Sequence, residues 1–411
     1  MKRPFALTLA LAAGLAACGD SAPEHTTGGT TGTSGGTTGG SSSGSTTDGT
    51  TNYTGPHVLY QGRFAADDAG VADTYDCAWS GSTIETRFTG TSVSIGLATA
   101  SNSNMYFHVS VDNAPPSTLR LSRGVTRYTV LSPDPRTAHT VRWTKVSEAA
   151  YGSVTVSAPQ ASADGALTAT AARTGAFIEF VGDSITAGYG TLGANPCTGS
   201  VDNEDADKAY PALVAKSLGV GYTQLGFSGK GVYYNADCTT TNVIEDLYDY
   251  TIPPQTENAN AVAWSPGDTA PRLIVLNAGT NDFGAAANAQ AACNTVVSNN
   301  GMPVRASFQA AYTSLLQKIA GQYAGIDILV VYGPMLTADQ MAEAKVNLEA
   351  VLSSIDPASI NNAGLHLVAV GPQGTARACD SHPNADTHAQ VAQSLVTAIK
   401  ALPAWQQVTG T

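Results

Sequence analysis

Phe177-Ile178-Glu179-Phe180-Val181-Gly182-Asp183-Ser184-Ile185-Thr186 is the stretch on which the reading of this chain turns. Residues 177–181 form a short, mostly apolar run of strand length, and Gly182, Asp183 and Ser184 break it with residues that make turns and begin helices. A strand without polar alternation fits a sheet covered on both faces. Downstream the pattern repeats: strands are expected over 222–226, 273–276, 328–332 and 365–370, with helical segments over 208–218, 307–320, 338–353 and 385–400. Alternating strands and helices predict an α/β domain over 174–405, three layers deep around a parallel sheet. Ligands of such sheets sit outside the carboxyl ends of the strands, which directs the search for chemistry to the residues just after each one.

Upstream the texture is different. Between 57 and 159, short alternating runs at 84–88, 93–97, 105–111, 128–131, 139–145 and 153–158 are separated by breaks such as Asp112-Asn113-Ala114-Pro115-Pro116 and Ser132-Pro133-Asp134-Pro135. Proline cannot donate into a central ladder, so an all-β sandwich over 55–165 is expected, joined by a short Ala- and Thr-rich connection at 166–172. From 26 to 51 every residue except Asp48 is Gly, Ser or Thr, so 19–54 reads as a flexible linker, a coil spanning roughly 30 Å. Residues 1–18 read as a signal peptide: Lys2 and Arg3 precede an apolar run over 5–17 that is short for a bilayer span. The run ends in Leu15-Ala16-Ala17-Cys18, which resembles the lipobox of bacterial lipoproteins and makes Cys18 the expected lipidation site. The expectation is an exported protein at the cell envelope or cell surface, meeting membrane only through that anchor.

A formal net charge of −12 would repel a polyanion, so nucleic acid is excluded as a natural partner. With Cys18 set aside, five cysteines remain in an exported protein, where pairing is favoured and one is left over. Cys197 with Cys238 and Cys293 with Cys379 are the expected pairs, because all four lie in loops near the motifs below; Cys77 is then the odd one. Neither Cys-x-x-Cys nor clustered Cys/His spacing occurs, so no zinc or other metal is implied.

Four polar segments follow the strands: Gly182-Asp183-Ser184-Ile185-Thr186, Gly226-Phe227-Ser228-Gly229-Lys230-Gly231, Gly279-Thr280-Asn281-Asp282 and Asp380-Ser381-His382-Pro383. Singly, each has a structural explanation: Gly-Asp-Ser as a helix cap, Asn281-Asp282 as a surface turn. Together they supply what a serine nucleophile needs, namely a base at hydrogen-bond reach and fixed donors for an oxyanion. His388, six residues beyond His382, is expected to pack or cap, and His57, His108 and His139 to be structural.

The set resembles the SGNH hydrolases, or GDSL esterases, with Ile185 in place of the usual Leu. The resemblance implies a flavodoxin-like three-layer fold, Ser184 as nucleophile, His382 as base, and an oxyanion hole from the amides of Ser184 and Gly229 with the Asn281 side chain. Asp380 is the implied orienter of His382. The family more often has Asp-x-x-His where this chain has Asp-x-His, so a backbone carbonyl is the alternative. Asp-x-His-Pro, Ser228-Gly229-Lys230-Gly231-Val232 and the upstream segments Cys77-Ala78-Trp79-Ser80-Gly81 and Ile84-Glu85-Thr86-Arg87-Phe88-Thr89-Gly90 narrow the resemblance to carbohydrate esterase family 2, in which a jelly-roll precedes the SGNH domain. It implies an acetylesterase acting on acetylated polysaccharides such as xylan or mannan; no metal or organic cofactor is implied, and a monomer is expected. Family members often carry an aromatic at the position of Ser381, so Tyr189, Tyr233 and Phe283, with Tyr234, are the candidate sugar platforms here. Two rival readings are a lipase or thioesterase on the same fold, and a surface carbohydrate-binding protein without activity.

Overall fold

The motif-bearing half rests on five parallel strands in the spatial order Gly221–Gly226, Phe177–Gly182, Leu273–Asn277, Asp327–Tyr332, Gly364–Ala369. Counted along the chain this is 2-1-3-4-5, so the winding reverses between the first and third strands and opens a crevice at their carboxyl ends. These features come from a computed structural model that describes residues 52–406 except 56, 67–72, 125, 171–176, 258, 268–269, 289–297 and 300. The expected signal peptide, Cys18 and nearly all of the linker lie outside the described residues.

Because successive side chains of a strand point to opposite faces, the same apolar runs feed two cores. Val181, Ile274, Leu276, Ile328 and Val330 pack against helices Arg305–Gln322 and Ala338–Ser354 through Leu315, Ile319 and Leu348. Ile178, Phe180, Val275, Leu329 and Val331 pack against Tyr210–Leu218 and Ala385–Ala401 through Val214, Leu395 and Ile399. The helices start where the sequence offers caps: Thr337 forms a capping box with Gln340, and the Asn384 side chain accepts from Thr387 N. The three-layer α/β fold expected from the sequence is thus present, each of its strands within one residue of the expected bounds.

The upstream half is two antiparallel sheets packed face to face. One runs Asn52–Gly55, Val58–Gln61, Thr83–Phe88, His139–Lys145, Tyr106–Val111, Ser117–Arg120; the other runs Ala65–Ala66, Thr74–Cys77, Val154–Ala161, Ser92–Ala98, Arg127–Leu131. Alternation turns Phe107, Val109, Val111, Val93 and Ile95 into the shared interior beside Trp143. Two expected limits shift. Leu167–Thr168 pairs with Thr83–Phe88, so part of the expected connection belongs to the sandwich, and Asn52–Gly55 pairs with Val58–Gln61 inside the stretch expected to be linker. In both cases ladder hydrogen bonds recruit residues whose composition alone carries no strand signal.

The halves are joined through their interiors. Ala78, Trp79 and Ala149 of the sandwich belong to the same apolar core as Val181, Leu225 and Phe227 of the α/β half. Arg63 is wholly buried: its guanidinium lies 3.6 Å from Glu179 of the first parallel strand, sits over the Trp264 ring at 3.6 Å, and donates to the carbonyls of Tyr248 and Tyr250. Trp79 Nε1 donates to the Tyr250 carbonyl at 3.1 Å. His108 lies 2.6 Å from Asp207 across the same boundary; burial lowers its pKa, but that hydrogen bond and the charges of Asp205 and Asp207 outweigh it and leave the pKa raised.

Candidate active site

Ser184 stands where the first parallel strand turns into the short helix Ser184–Ala187. Gly182 makes the turn possible by close approach: a Cβ there would lie 2.4 Å from the Asn277 carbonyl and 2.2 Å from Thr186 Oγ1. Asp183 caps the helix by accepting from Ile185 N at 3.0 Å. Burial raises the Asp183 carboxyl to about 7, against the hydrogen bonds from Ile185 and Thr280 that favour its charge. Ser184 itself is 6% exposed, and its Oγ lies 2.8 Å from His382 Nε2.

The donors expected for an oxyanion follow the two strands that flank the serine's own. Gly229 takes a left-handed φ of 78°, and its carbonyl is tied to Ala236 N at 2.8 Å, which fixes the peptide plane of the loop. Asn281 opens the helix Thr280–Asn288 and its Nδ2 donates to the Lys230 carbonyl at 2.7 Å. An amide carries two hydrogens, so one remains for a second acceptor. Asp282, in the pair that also reads as a surface turn, is fully buried and accepts from the backbone of Val232, Tyr233 and Tyr234 at 2.8–2.9 Å. Burial pushes its carboxyl up to about 6, opposed by those three amides. The adjacent residues Asn281 and Asp282 thus clamp the 230–234 loop from two directions.

The orientation of His382 departs from the leading expectation. Asp380 Oδ2 accepts from Tyr189 Oη at 2.9 Å and from Gly199 N at 2.7 Å, while His382 Nδ1 is buried with no hydrogen-bonding partner among the described residues. The carboxylate is therefore not the partner of the ring. Asp380 and Ser381 both hold left-handed φ values, 49° and 62°, in a tight turn that aims the Asp380 side chain at Tyr189 and the loop at Gly199. Burial lowers the His382 pKa below its ordinary value; the backbone carbonyls of Asp380 and Cys379, and the Asp380 charge, oppose that shift. Those carbonyls are the acceptors nearest in kind to the alternative the spacing left open.

The loop carrying His382 is fastened by a disulfide between Cys197 and Cys379, supported by Asp380 N donating to the Cys197 carbonyl at 2.8 Å. This corrects both expected pairs, Cys197 with Cys238 and Cys293 with Cys379: the loop after the first strand meets the histidine loop rather than the Gly229 loop. Cys238 is itself disulfide-bonded. The pairing of Cys293 lies outside the described residues. Cys77 is a free, buried thiol inside the sandwich, and burial pushes it up to about 12.

Of the candidate sugar platforms, Tyr189 lies with its ring centroid 4.7 Å from that of His382. Tyr233 is half-buried, edge-on to the buried Tyr234 at 4.5 Å. Phe283 is 1% exposed and packs on Phe308 at 5.8 Å, so it belongs to the core and cannot face a ligand. His388 does pack and cap: it is buried against Tyr210, accepts from Tyr210 N at 3.2 Å, and burial lowers it to about 3. Sequence reasoning gave no role to Glu148 and Glu204. Both are buried beside the Ser228 loop, and Glu148 Oε2 accepts from Ser228 N at 2.7 Å.

Comparison with known proteins shows the family and the fold. Residues 60–170 match the family model described as carbohydrate esterase 2 N-terminal, and residues 180–400 match the GDSL-like lipase/acylhydrolase family. The cellulase/esterase CelE of Acetivibrio thermocellus is 28% identical over 362 residues, a match that spans 85% of this chain and 40% of that protein. An acetylxylan esterase/glucomannan deacetylase of Cellvibrio japonicus is 23% identical over 355 residues, covering 85% of this chain and 90% of the relative. A solved family two carbohydrate esterase from Clostridium thermocellum in complex with cellohexaose superposes with a TM-score of 0.70 at 27% identity, covering 85% of this chain and 99% of that one.

Proposed function

Because the chain belongs to the GDSL-like lipase/acylhydrolase family and carries the N-terminal domain of carbohydrate esterase family 2 ahead of it, we propose that it removes O-acetyl groups from plant polysaccharides such as xylan or mannan through an acetyl-enzyme on Ser184. The observation that carries this reading is the 2.8 Å contact of Ser184 Oγ with His382 Nε2 at the switch point of the sheet. In the first half-reaction Oγ attacks the acetyl carbonyl as its proton passes to Nε2. The Ser184 and Gly229 amides and the remaining Asn281 hydrogen receive the oxyanion. Collapse breaks the bond to the sugar oxygen, which takes the proton from His382. A water then gives its proton to Nε2 and attacks the acetyl carbon; collapse breaks the bond to Ser184 Oγ, which takes that proton back from His382, and acetate leaves. A buried imidazole with a lowered pKa is neutral at neutral pH, the form a base requires. Names of relatives that join esterase activity to xylan and glucomannan, and a relative solved with a bound cello-oligosaccharide, support a carbohydrate substrate.

The test is hydrolysis of aryl acetate, butyrate and octanoate, followed by acetate release from acetylated xylan and mannan, by wild type and Ser184→Ala. Acetate-selective turnover that falls at least ~10⁴-fold in the variant is expected. Activity unchanged by the substitution would discard Ser184 as nucleophile, and octanoate preference would favour a lipase. The chain is also read as an exported lipoprotein anchored at Cys18, on the strength of Lys2, Arg3, the apolar run and Leu15-Ala16-Ala17-Cys18. Mass spectrometry of the mature N-terminus should find an acylated Cys18; an unmodified terminus would remove the anchor.

A further inference from the structure

We propose that Glu148, contributed by the sandwich half, is a positioning residue for ester hydrolysis: its carboxylate holds the Phe227–Ser228 peptide, and through it sets the next peptide in the orientation that presents the Gly229 amide to the oxyanion. This rests on the esterase reading above and names a residue it does not include. Glu148 precedes the turn Ala149–Tyr151 and is 1% exposed. Its Oε2 accepts from Ser228 N at 2.7 Å, and Ser228 is the residue immediately before Gly229. Since the Gly229 carbonyl is held by Ala236 N, the two anchors fix the loop on either side of the Gly229 amide.

The carboxylate is itself built in. Glu148 N donates to Glu204 Oε1, and Glu204 is 3% exposed. Lys145 Nζ, wholly buried, donates to the carbonyls of Ala78 and Ser147 at 2.7 Å and of Glu148 at 3.3 Å. Ala206 N donates to the Val146 carbonyl at 3.1 Å, so the segment is stitched to the α/β half by backbone as well. Burial and the neighbouring Glu148 charge raise Glu204 well above its ordinary value, whereas burial raises Glu148 against the Ser228 hydrogen bonds and the Lys145 charge. The Glu148 backbone is thus held at its N–H by Glu204 and at its carbonyl by Lys145, which fixes where its side chain starts. A loop whose donor must be placed to a fraction of an ångström needs such an anchor.

Two variants separate reach from charge. Glu148→Asp keeps the charge but is one methylene too short for Ser228 N; Glu148→Gln keeps the reach and an acceptor oxygen but loses the charge. If the hydrogen bond positions the loop, Glu148→Asp lowers kcat on aryl acetate about 10- to 100-fold with KM within about threefold. Glu148→Gln should stay within about fivefold of wild type. Hydrogen–deuterium exchange of the peptide spanning 227–232 provides a second readout that needs no turnover: its amides should exchange faster in Glu148→Asp and near the wild-type rate in Glu148→Gln. Wild-type kcat in Glu148→Asp, or a loss in both variants with exchange unchanged, would overturn the proposal. If wild type hydrolyses no ester, the esterase reading fails on its own, while exchange still reports whether Glu148 holds the loop.

Discussion

Replacing Asp380 by Asn asks directly what the histidine loop is for. A carboxylate that orients a catalytic imidazole contributes about 10⁴-fold, as its amide substitution shows in serine proteases. Here Asp380 Oδ2 is engaged by Tyr189 Oη and Gly199 N, and His382 Nδ1 receives nothing from it. Asn retains an oxygen that accepts both bonds, so the left-handed turn at Asp380 and Ser381 should survive. What is lost is one negative charge on an exposed side chain near the ring. An exposed pair of this kind is worth about 0–1 kcal/mol, or less than roughly fivefold in rate. The sign is also fixed. The Asp380 charge raises the His382 pKa against burial, so its removal lowers that pKa further. The base then stays neutral to lower pH, and the acid limb of kcat/KM should move down by less than about one unit. The assay is the pH dependence of kcat/KM on aryl acetate for wild type and Asp380→Asn. A loss near 10⁴-fold at neutral pH, or an acid limb that moves upward, would refute the reasoning and restore Asp380 as the partner of the ring.

Other outcomes follow from the same geometry. Asn281→Ala should lower kcat by about 10²- to 10³-fold with KM little changed, because one oxyanion donor is removed; equal kcat would exclude Asn281 from that role. Replacing Cys197 and Cys379 by Ser opens a link across 182 residues and should lower stability by about 2–5 kcal/mol in urea unfolding, with kcat falling as the His382 loop loosens. A double variant with wild-type unfolding and turnover would show the bond to be dispensable. Arg63→Met leaves Glu179 buried without its cation and should destabilise by about 3–5 kcal/mol, read as a lower urea midpoint; an unchanged midpoint would mean that the Tyr248 and Thr223 hydroxyls, which donate to the Glu179 carboxylate at 2.7 and 3.4 Å, satisfy it without the cation.

What could be read in the sequence was whatever has a period or a fixed local meaning. The five parallel strands and four long helices emerge from apolar runs and their caps, and the turn at Gly182-Asp183-Ser184 announces itself by composition. Side-chain direction was harder. Asn281 and Phe283 are two residues apart on one helix, about 200° around its axis. One therefore reaches the Lys230 loop while the other enters the core, although both follow the same motif. Asp380 misled for a related reason: consecutive left-handed residues throw its side chain outward, a choice that spacing to His382 does not encode. The disulfide and the Glu148–Ser228 contact depend on which loops meet in space, between residues far apart in the chain, and no local pattern marks them.

The burial of Arg63 against Glu179 has a consequence for how such a chain can evolve. Family boundaries suggest two interchangeable pieces, matched at 60–170 and 180–400. A recombination that exchanged the first for another sandwich would strand an acid in the middle of a central strand and strip Trp264 and Tyr248 of the guanidinium that lies over their rings. The two halves can thus drift only in step, and the inheritable unit is the pair.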